Sequence, residues 1–211
     1  VSRRGAKSHG GQGSLVDPWI SYLIFLGVGL GTWQVSRPWR QTILWLFLLA
    51  WFLLYYRVRP VKANFNWMNV GWGALIGAVI GLPLLAVAWK YLYSFAVQLF
   101  ATSDARLLFY ELVLFLAPVE ELYFRGFVQR EKGMAVSIAL YTAAALIYFV
   151  PGLQIPALAV VFSAIAYGLM GFVYSYTYAR HGLSASIAAH VVFNLVALVL
   201  PFLVQYISKL T

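Results

Sequence analysis

Two short stretches of the chain hold residues whose types and spacing could carry chemistry. One is Pro118-Val-Glu120-Glu121-Leu-Tyr-Phe-Arg125, with Glu111 just upstream, and the other is His190-Val-Val-Phe-Asn194. Both lie inside strongly apolar runs, where an ionisable group costs roughly 2.5–3.5 kcal/mol or more at the centre of a bilayer. Glu121 and Arg125 are spaced i,i+4, so they share a helix face and can form an ion pair. Glu120 points about 100° away and is free of that pairing. His190 and Asn194 have the same i,i+4 spacing. A carboxylate facing an imidazole can activate water, and an amide beside an imidazole N–H can stabilise an oxyanion. The chemistry suggested is hydrolysis of an amide. A plainer reading stays open, in which the Glu–Arg pair neutralises itself and His190–Asn194 is an interhelical hydrogen bond.

Other constellations are missing from the sequence. Without cysteine there is no thiolate zinc site, disulfide or cysteine nucleophile. None of His9, His181 and His190 opens a His-Glu-x-x-His motif, and no Gly-x-Ser-x-Gly elbow occurs. His190 is the only histidine inside an apolar run, which argues against a two-histidine metal site, and neither cofactor nor metal is expected. His181, between Arg180 and Gly182, reads as a helix C-terminal residue at a turn.

The elements that must position these residues follow from composition. Of 211 residues, 63% are hydrophobic and 10% charged, against about 25% charged in a soluble domain. The excess apolar surface has to face lipid. With about 20 residues per spanning helix, the length allows about seven spans. The apolar runs lie at 18–35, 41–56, 68–93, 107–128, 134–150, 155–179 and 183–205. No period-two alternation appears, so the fold class is all-α: a polytopic membrane helical bundle of about seven transmembrane helices. Residues 18–211 form one such domain. Residues 1–17, glycine-rich and basic, read as a tail; the Val start and acid-poor composition suggest a processed or trimmed beginning.

Trp19, Trp39, Tyr55, Tyr56, Trp67, Trp89, Tyr91 and Tyr93 mark the ends of runs, where amphipathic rings favour the headgroup layer. Arg3, Arg4, Lys7, Arg57, Arg59, Lys62, Arg130, Lys132 and Arg180 fall on one side, against Arg37, Arg40, Lys90, Arg106 and Lys209 on the other. This bias puts the amino terminus inside. Helical rise then sets Glu121 about 13 Å below Arg130 and His190 about 10 Å below Leu183. Both groups reach one level, with a cavity expected to open towards the inner face. Gly73, Gly77 and Gly81 offer a face for close helix packing within the bundle, and Pro83 and Pro118 predict kinks. The net charge of +9 is explained by topology and anionic lipid rather than by nucleic acid, which is not an expected partner.

Glu120-Glu121-Leu-Tyr-Phe-Arg125 resembles the EExxxR motif of the CAAX protease and bacteriocin-processing family, and His190-Val-Val-Phe-Asn194 resembles its HxxxN/D motif. The stretch from Tyr167 through Leu183-Ser-Ala-Ser is also similar, so the resemblance covers about residues 107–200. It implies a polytopic, metal-independent glutamic intramembrane protease of the type II CAAX prenyl endopeptidase kind. Glu120 would then activate water, Glu121 and Arg125 would hold the motif helix, and His190 and Asn194 would form the oxyanion pocket. The family's middle FxxxH motif has no counterpart: the chain reads Ala145-Leu-Ile-Tyr-Phe-Val-Pro151 there. Tyr148 is the nearest polar side chain, a poor base with an ordinary phenol pKa of about 10, and its depth argues against reach to the site.

Two functions therefore stay open. One is an endopeptidase cleaving a prenylated or membrane-inserted polypeptide, with Glu120 acting without the usual helper. The other is a non-proteolytic relative, a pseudoenzyme binding a lipid, pigment or protein partner in a membrane complex. Either is a multi-pass integral protein surrounded by membrane lipids, in a bacterial plasma membrane or an organelle membrane.

Overall fold

Asp17 opens the first helix: its carboxylate accepts from the Trp19 N–H at 2.8 Å, and Pro18 follows at a position that lacks a helical N–H partner anyway. The same logic repeats along the chain. Asn66 accepts from Met68 N and Asp104 from Arg106 N, each capping a helix start. Gly133 and Gly182, at φ +87° and +85°, make the turns that end two helices. This computed structural model describes residues 17–61, 65–149 and 157–210. The seven helical runs are α1 (Pro18–Gly31), α2 (Arg37–Val58), α3 (Trp67–Phe100), α4 (105–132), α5 (Met134–Phe149), α6 (Ala157–His181) and α7 (Leu183–Ile207). No strand occurs among the described residues. The expected tail, with Arg3, Arg4, Lys7 and His9, lies outside them except for Asp17, as do Lys62, Val150, Pro151 and Ile155.

Four of these helices, α2, α3, α6 and α7, are long and apolar enough to cross a membrane. The sequence-based count of about seven runs ahead of this for a physical reason. α1 and α5 are too short, and α4 carries the ionisable residues that lower its hydropathy.

Polar ties gather the helix ends in two groups. At one end Lys132 meets Asp17 at 2.7 Å, Arg59 meets Glu131 at 2.7 Å, Arg130 donates to the Pro60 carbonyl, and Trp72 stacks on His181. Burial works to raise the Asp17 carboxyl, but the Lys132 ammonium and the Trp19 N–H outweigh it and hold the group below its ordinary value. Glu131, beyond the apolar run of α4, is also held low: hydrogen bonds from Tyr55 and Arg59 outweigh its partial burial. At the other end Arg37 donates to Gln98 O and Gln41 to Leu99 O, while buried Arg40 donates to Tyr148 O and Gly29 O. Successive helices therefore alternate in direction, and the basic loops at 57–62, 130–132 and 180 share one end wherever they are described.

The glycine face of α3 packs within the bundle, against α7. A Cβ at Gly73 would collide with the Ala185 carbonyl, and one at Gly77 with that of Ala189. Beyond Gly81 the two helices are less closely matched. The expected kink near Pro83 lies further along, at Ala88, whose φ −127° and ψ 18° leave helical space. Pro118 produces no break. It follows a π-wound stretch, Phe109–Leu116, whose wider turn ends with Ala117 N–H bonding to Leu112 O.

Candidate functional site

α4 changes its winding around the two glutamates. Phe109–Leu116 is π-wound, Ala117–Glu121 is α-wound, and Leu122–Gln129 is π-wound again. A third π stretch, Leu195–Val199, begins directly after Asn194. Such stretches are frequent where side chains have been re-aimed for function. Here they flank the charged residues on both helices.

The five residues singled out by type and spacing converge. Glu121 and Arg125 are fully buried and pair at 3.3 Å. The other Arg125 nitrogen donates to Gly171 O at 3.1 Å, and its guanidinium lies 4.4 Å from the Tyr141 ring centroid. Ser186 donates to Glu121, and His190 Nδ1 meets Glu121 Oε1 at 3.0 Å. The other imidazole nitrogen, Nε2, stands 3.7 Å from Glu120 Oε2. His190 thus bridges the two carboxylates, and Glu120 is less isolated than its 100° offset suggests. Asn194 donates to Leu112 O at 3.0 Å, which commits one of its two amide N–H bonds.

Three further residues belong to this cluster. Ser186 precedes His190 by four positions, so the sequence already contained a Ser186–His190–Asn194 face with i,i+4 spacing. Tyr174 stacks on His190, with centroids 4.3 Å apart and planes at 17°; nothing in its local sequence marks it. Tyr148 is the clearest correction. It is buried between Phe25 and Trp45, and close enough to Glu120 for the two groups to interact electrostatically. Counting residues placed it too deep, but a tyrosine side chain spans the remaining few ångströms.

A cavity of about 360 Å³ meets this cluster, and Glu120, His190 and Asn194 line its polar end. The rest is apolar or aromatic, with Leu84 and Phe95 from α3, Leu116 from α4 and Phe162 and Met170 from α6. Its lining lies on the side of the cluster away from the basic end, whereas the sequence predicts an opening towards that end. At that end Gly73 and Gly77 press on α7, and Glu121, Arg125 and Ser186 are buried. The cavity instead runs away from the basic end, between the kinked half of α3 and α6. Leu84, Phe95 and Phe162 are exposed as well as cavity-lining, so the opening is lateral and apolar. Among the described residues no group of three or more His, Cys, Asp or Glu is placed to hold a metal ion.

The arrangement separates two carboxylates by environment. Glu121 is consumed by Arg125, Ser186 and His190, whereas Glu120 faces space that a ligand could occupy. Residues 102–196, a stretch that contains all five converging side chains, match the family model described as type II CAAX prenyl endopeptidase Rce1-like. No curated protein and no solved structure matches the chain.

Proposed function

We propose, from the match of residues 102–196 to the type II CAAX prenyl endopeptidase Rce1-like family model, that the chain is a glutamic intramembrane endopeptidase of that family. Its substrate is a prenylated or otherwise membrane-inserted polypeptide, reaching the site through the apolar opening between α3 and α6. The observation that carries this reading is the exposure of Glu120, rather than Glu121, to the cavity.

In this reaction Glu120 takes a proton from water as the water oxygen bonds to the scissile carbonyl carbon. The oxyanion is met by the Asn194 N–H not committed to Leu112, and by His190 carrying both protons, with Nδ1–H on the negative Glu121 and Nε2–H on the oxyanion. When the C–N bond breaks, the proton held by Glu120 passes to the leaving nitrogen. General acid–base assistance of this kind is typically worth 10²–10⁴-fold.

The same reading takes residues 18–211 as one multi-pass domain following a basic tail at 1–17. α1, α4 and α5 cross with the four longer helices, and the amino terminus lies inside, in a bacterial plasma membrane or an organelle membrane. The test is cleavage of a farnesylated, fluorogenic CaaX peptide by the purified chain in lipid nanodiscs. Wild type should cleave it, and Glu120→Gln should lose at least about 100-fold at equal abundance.

A second reading rests on Tyr148. A phenol, not an imidazole, stands in the stretch where the family's helper histidine is expected, which suits a non-proteolytic scaffold holding a lipid, pigment or protein partner. Wild type that cleaves nothing, but comes out of gentle detergent in a stoichiometric complex, would favour it.

A further inference from the structure

Tyr174 lies outside both charged motifs, yet α6 is held so that its ring meets His190. Two carbonyls of α6 accept from side chains of α4: Gly171 O from Arg125 at 3.1 Å, and Ser175 O from Gln129 at 3.0 Å. Donors and acceptors are each four residues apart, so the two bonds lie one turn apart on both helices. They fix α6 against rotation about its own axis, with Tyr174 between the two anchored carbonyls. Its buried ring lies flat on the His190 imidazole, with centroids 4.3 Å apart and planes at 17°. Tyr141 stands edge-on to the same imidazole, at 6.2 Å and 82°.

The imidazole needs such a wall. Its Nδ1 meets Glu121 at 3.0 Å, and Nε2 stands 3.7 Å from Glu120. A single contact on Nδ1 leaves the ring free to swing, because the terminal torsion of histidine is broad. That swing would carry Nε2 away from Glu120 and the polar end of the cavity. An aromatic face laid parallel to the imidazole opposes it.

We infer that Tyr174 is a positioning residue for His190, fixing the plane of the imidazole and with it the direction of Nε2. It acts through its ring and not through its hydroxyl. The consequence for turnover rests on the endopeptidase reading; the fixing of the imidazole does not.

The experiment uses the full chain in nanodiscs and two readouts. The first is the proton spectrum of the imidazoles in histidine-labelled protein. The chain has three histidines, and the His190 signals are those that remain when His9→Gln and His181→Gln are combined. An aromatic face this close moves imidazole protons upfield by its ring current. In wild type the His190 signals should therefore stand upfield of free histidine. They should move back and broaden in Tyr174→Leu, and stay in place in Tyr174→Phe. The second readout is hydrolysis of the farnesylated CaaX peptide. Tyr174→Leu should lower kcat about 2- to 12-fold, the loss expected for one aromatic pair, with KM within about twofold. Tyr174→Phe should recover most of that loss.

Wild-type His190 signals at free-histidine positions overturn the inference without any variant. Signals that do not move in Tyr174→Leu overturn it too, as does an unchanged kcat in that variant of an active enzyme. A loss in Tyr174→Phe equal to that in Tyr174→Leu gives the role to the hydroxyl and also overturns it. If Tyr174→Leu fails to fold, Tyr174→Met, which keeps bulk without a ring, is judged by the same signals. A wild type that cleaves nothing, with His190 signals that move in Tyr174→Leu and stay in Tyr174→Phe, upholds the positioning contact and removes the endopeptidase reading instead.

Discussion

Replacing Glu121 by alanine takes the acceptor from three donors at once: Arg125 at 3.3 Å, His190 Nδ1 at 3.0 Å and the Ser186 hydroxyl. The three are not equally harmed. Ser186 has one proton and can turn it to Tyr174 O, 3.1 Å away, so it keeps an acceptor. Arg125 keeps the Gly171 carbonyl and the Tyr141 face, but its charge loses the only carboxylate paired with it among the described residues. Breaking a buried pair by removing one side costs about 3–5 kcal/mol, which is about two to four powers of ten in the folding equilibrium. The reverse change, Arg125→Met, should cost less, because Glu121 retains donors in Ser186 and His190. The pair Glu121→Leu with Arg125→Met should recover most of the loss, since apolar replacement of a buried ion pair is often close to neutral. Reversible unfolding in mixed detergent, read as a double-mutant cycle, measures all three. Glu121→Ala within about 0.5 kcal/mol of wild type would falsify the claim that this pair is electrostatically coupled in a dry interior.

Three other outcomes are expected. Gly77→Leu should prevent α3 from seating on α7 and reduce monodisperse protein severely, while Gly71→Ala, with open space around it, should leave yield unchanged; equal yields would sink the packing assignment. In the cysteine-free chain, Lys7→Cys and Pro60→Cys should label from the same side of sealed vesicles and Thr102→Cys from the other. Labelling of positions 7 and 60 from opposite sides refutes the topology. Asp17 and Glu131 are both held below their ordinary values, so their contribution is present above the ordinary carboxylate range of roughly 4 and is lost as pH falls through the lowered values. Lys132→Met should therefore flatten the acid side of the stability curve, modestly, because the pair is partly exposed. An unchanged acid limb would show that the tie adds nothing.

The sequence made the helices and the site's membership legible because both follow from local periodicity. Spacing of four places Glu121 with Arg125 and His190 with Asn194. Helical rise alone brings the two pairs to one level. What stayed hidden depends on rotation about helix axes and on reach between helices distant in sequence. Tyr174 meets His190 face to face only because α6 turns that way, and Ser186 reaches Glu121 only because α7 is rotated towards α4. The direction of the cavity was misjudged for a related reason. Depth locates the reactive groups but does not say which neighbouring helices close tightly around them, and Gly73 and Gly77 bring α3 onto α7 on the side that counting suggested was open.

The break at Ala88 divides α3 into two parts held by different neighbours. Up to Gly81 the helix lies backbone-to-backbone on α7, so that portion cannot swing without separating the two. From Ala88 to Phe100 about 18 Å of helix extends past the break and forms one jamb of the lateral opening. A change of about 10° at that single residue carries the far tip roughly 3 Å by simple geometry on that length. That distance is comparable to the thickness of a side chain. That tip is tied to α2 by Arg37 on Gln98 O and Gln41 on Leu99 O, so the aperture is set jointly by the angle at Ala88, about 20 Å along the helix from Gly73, and by those two ties.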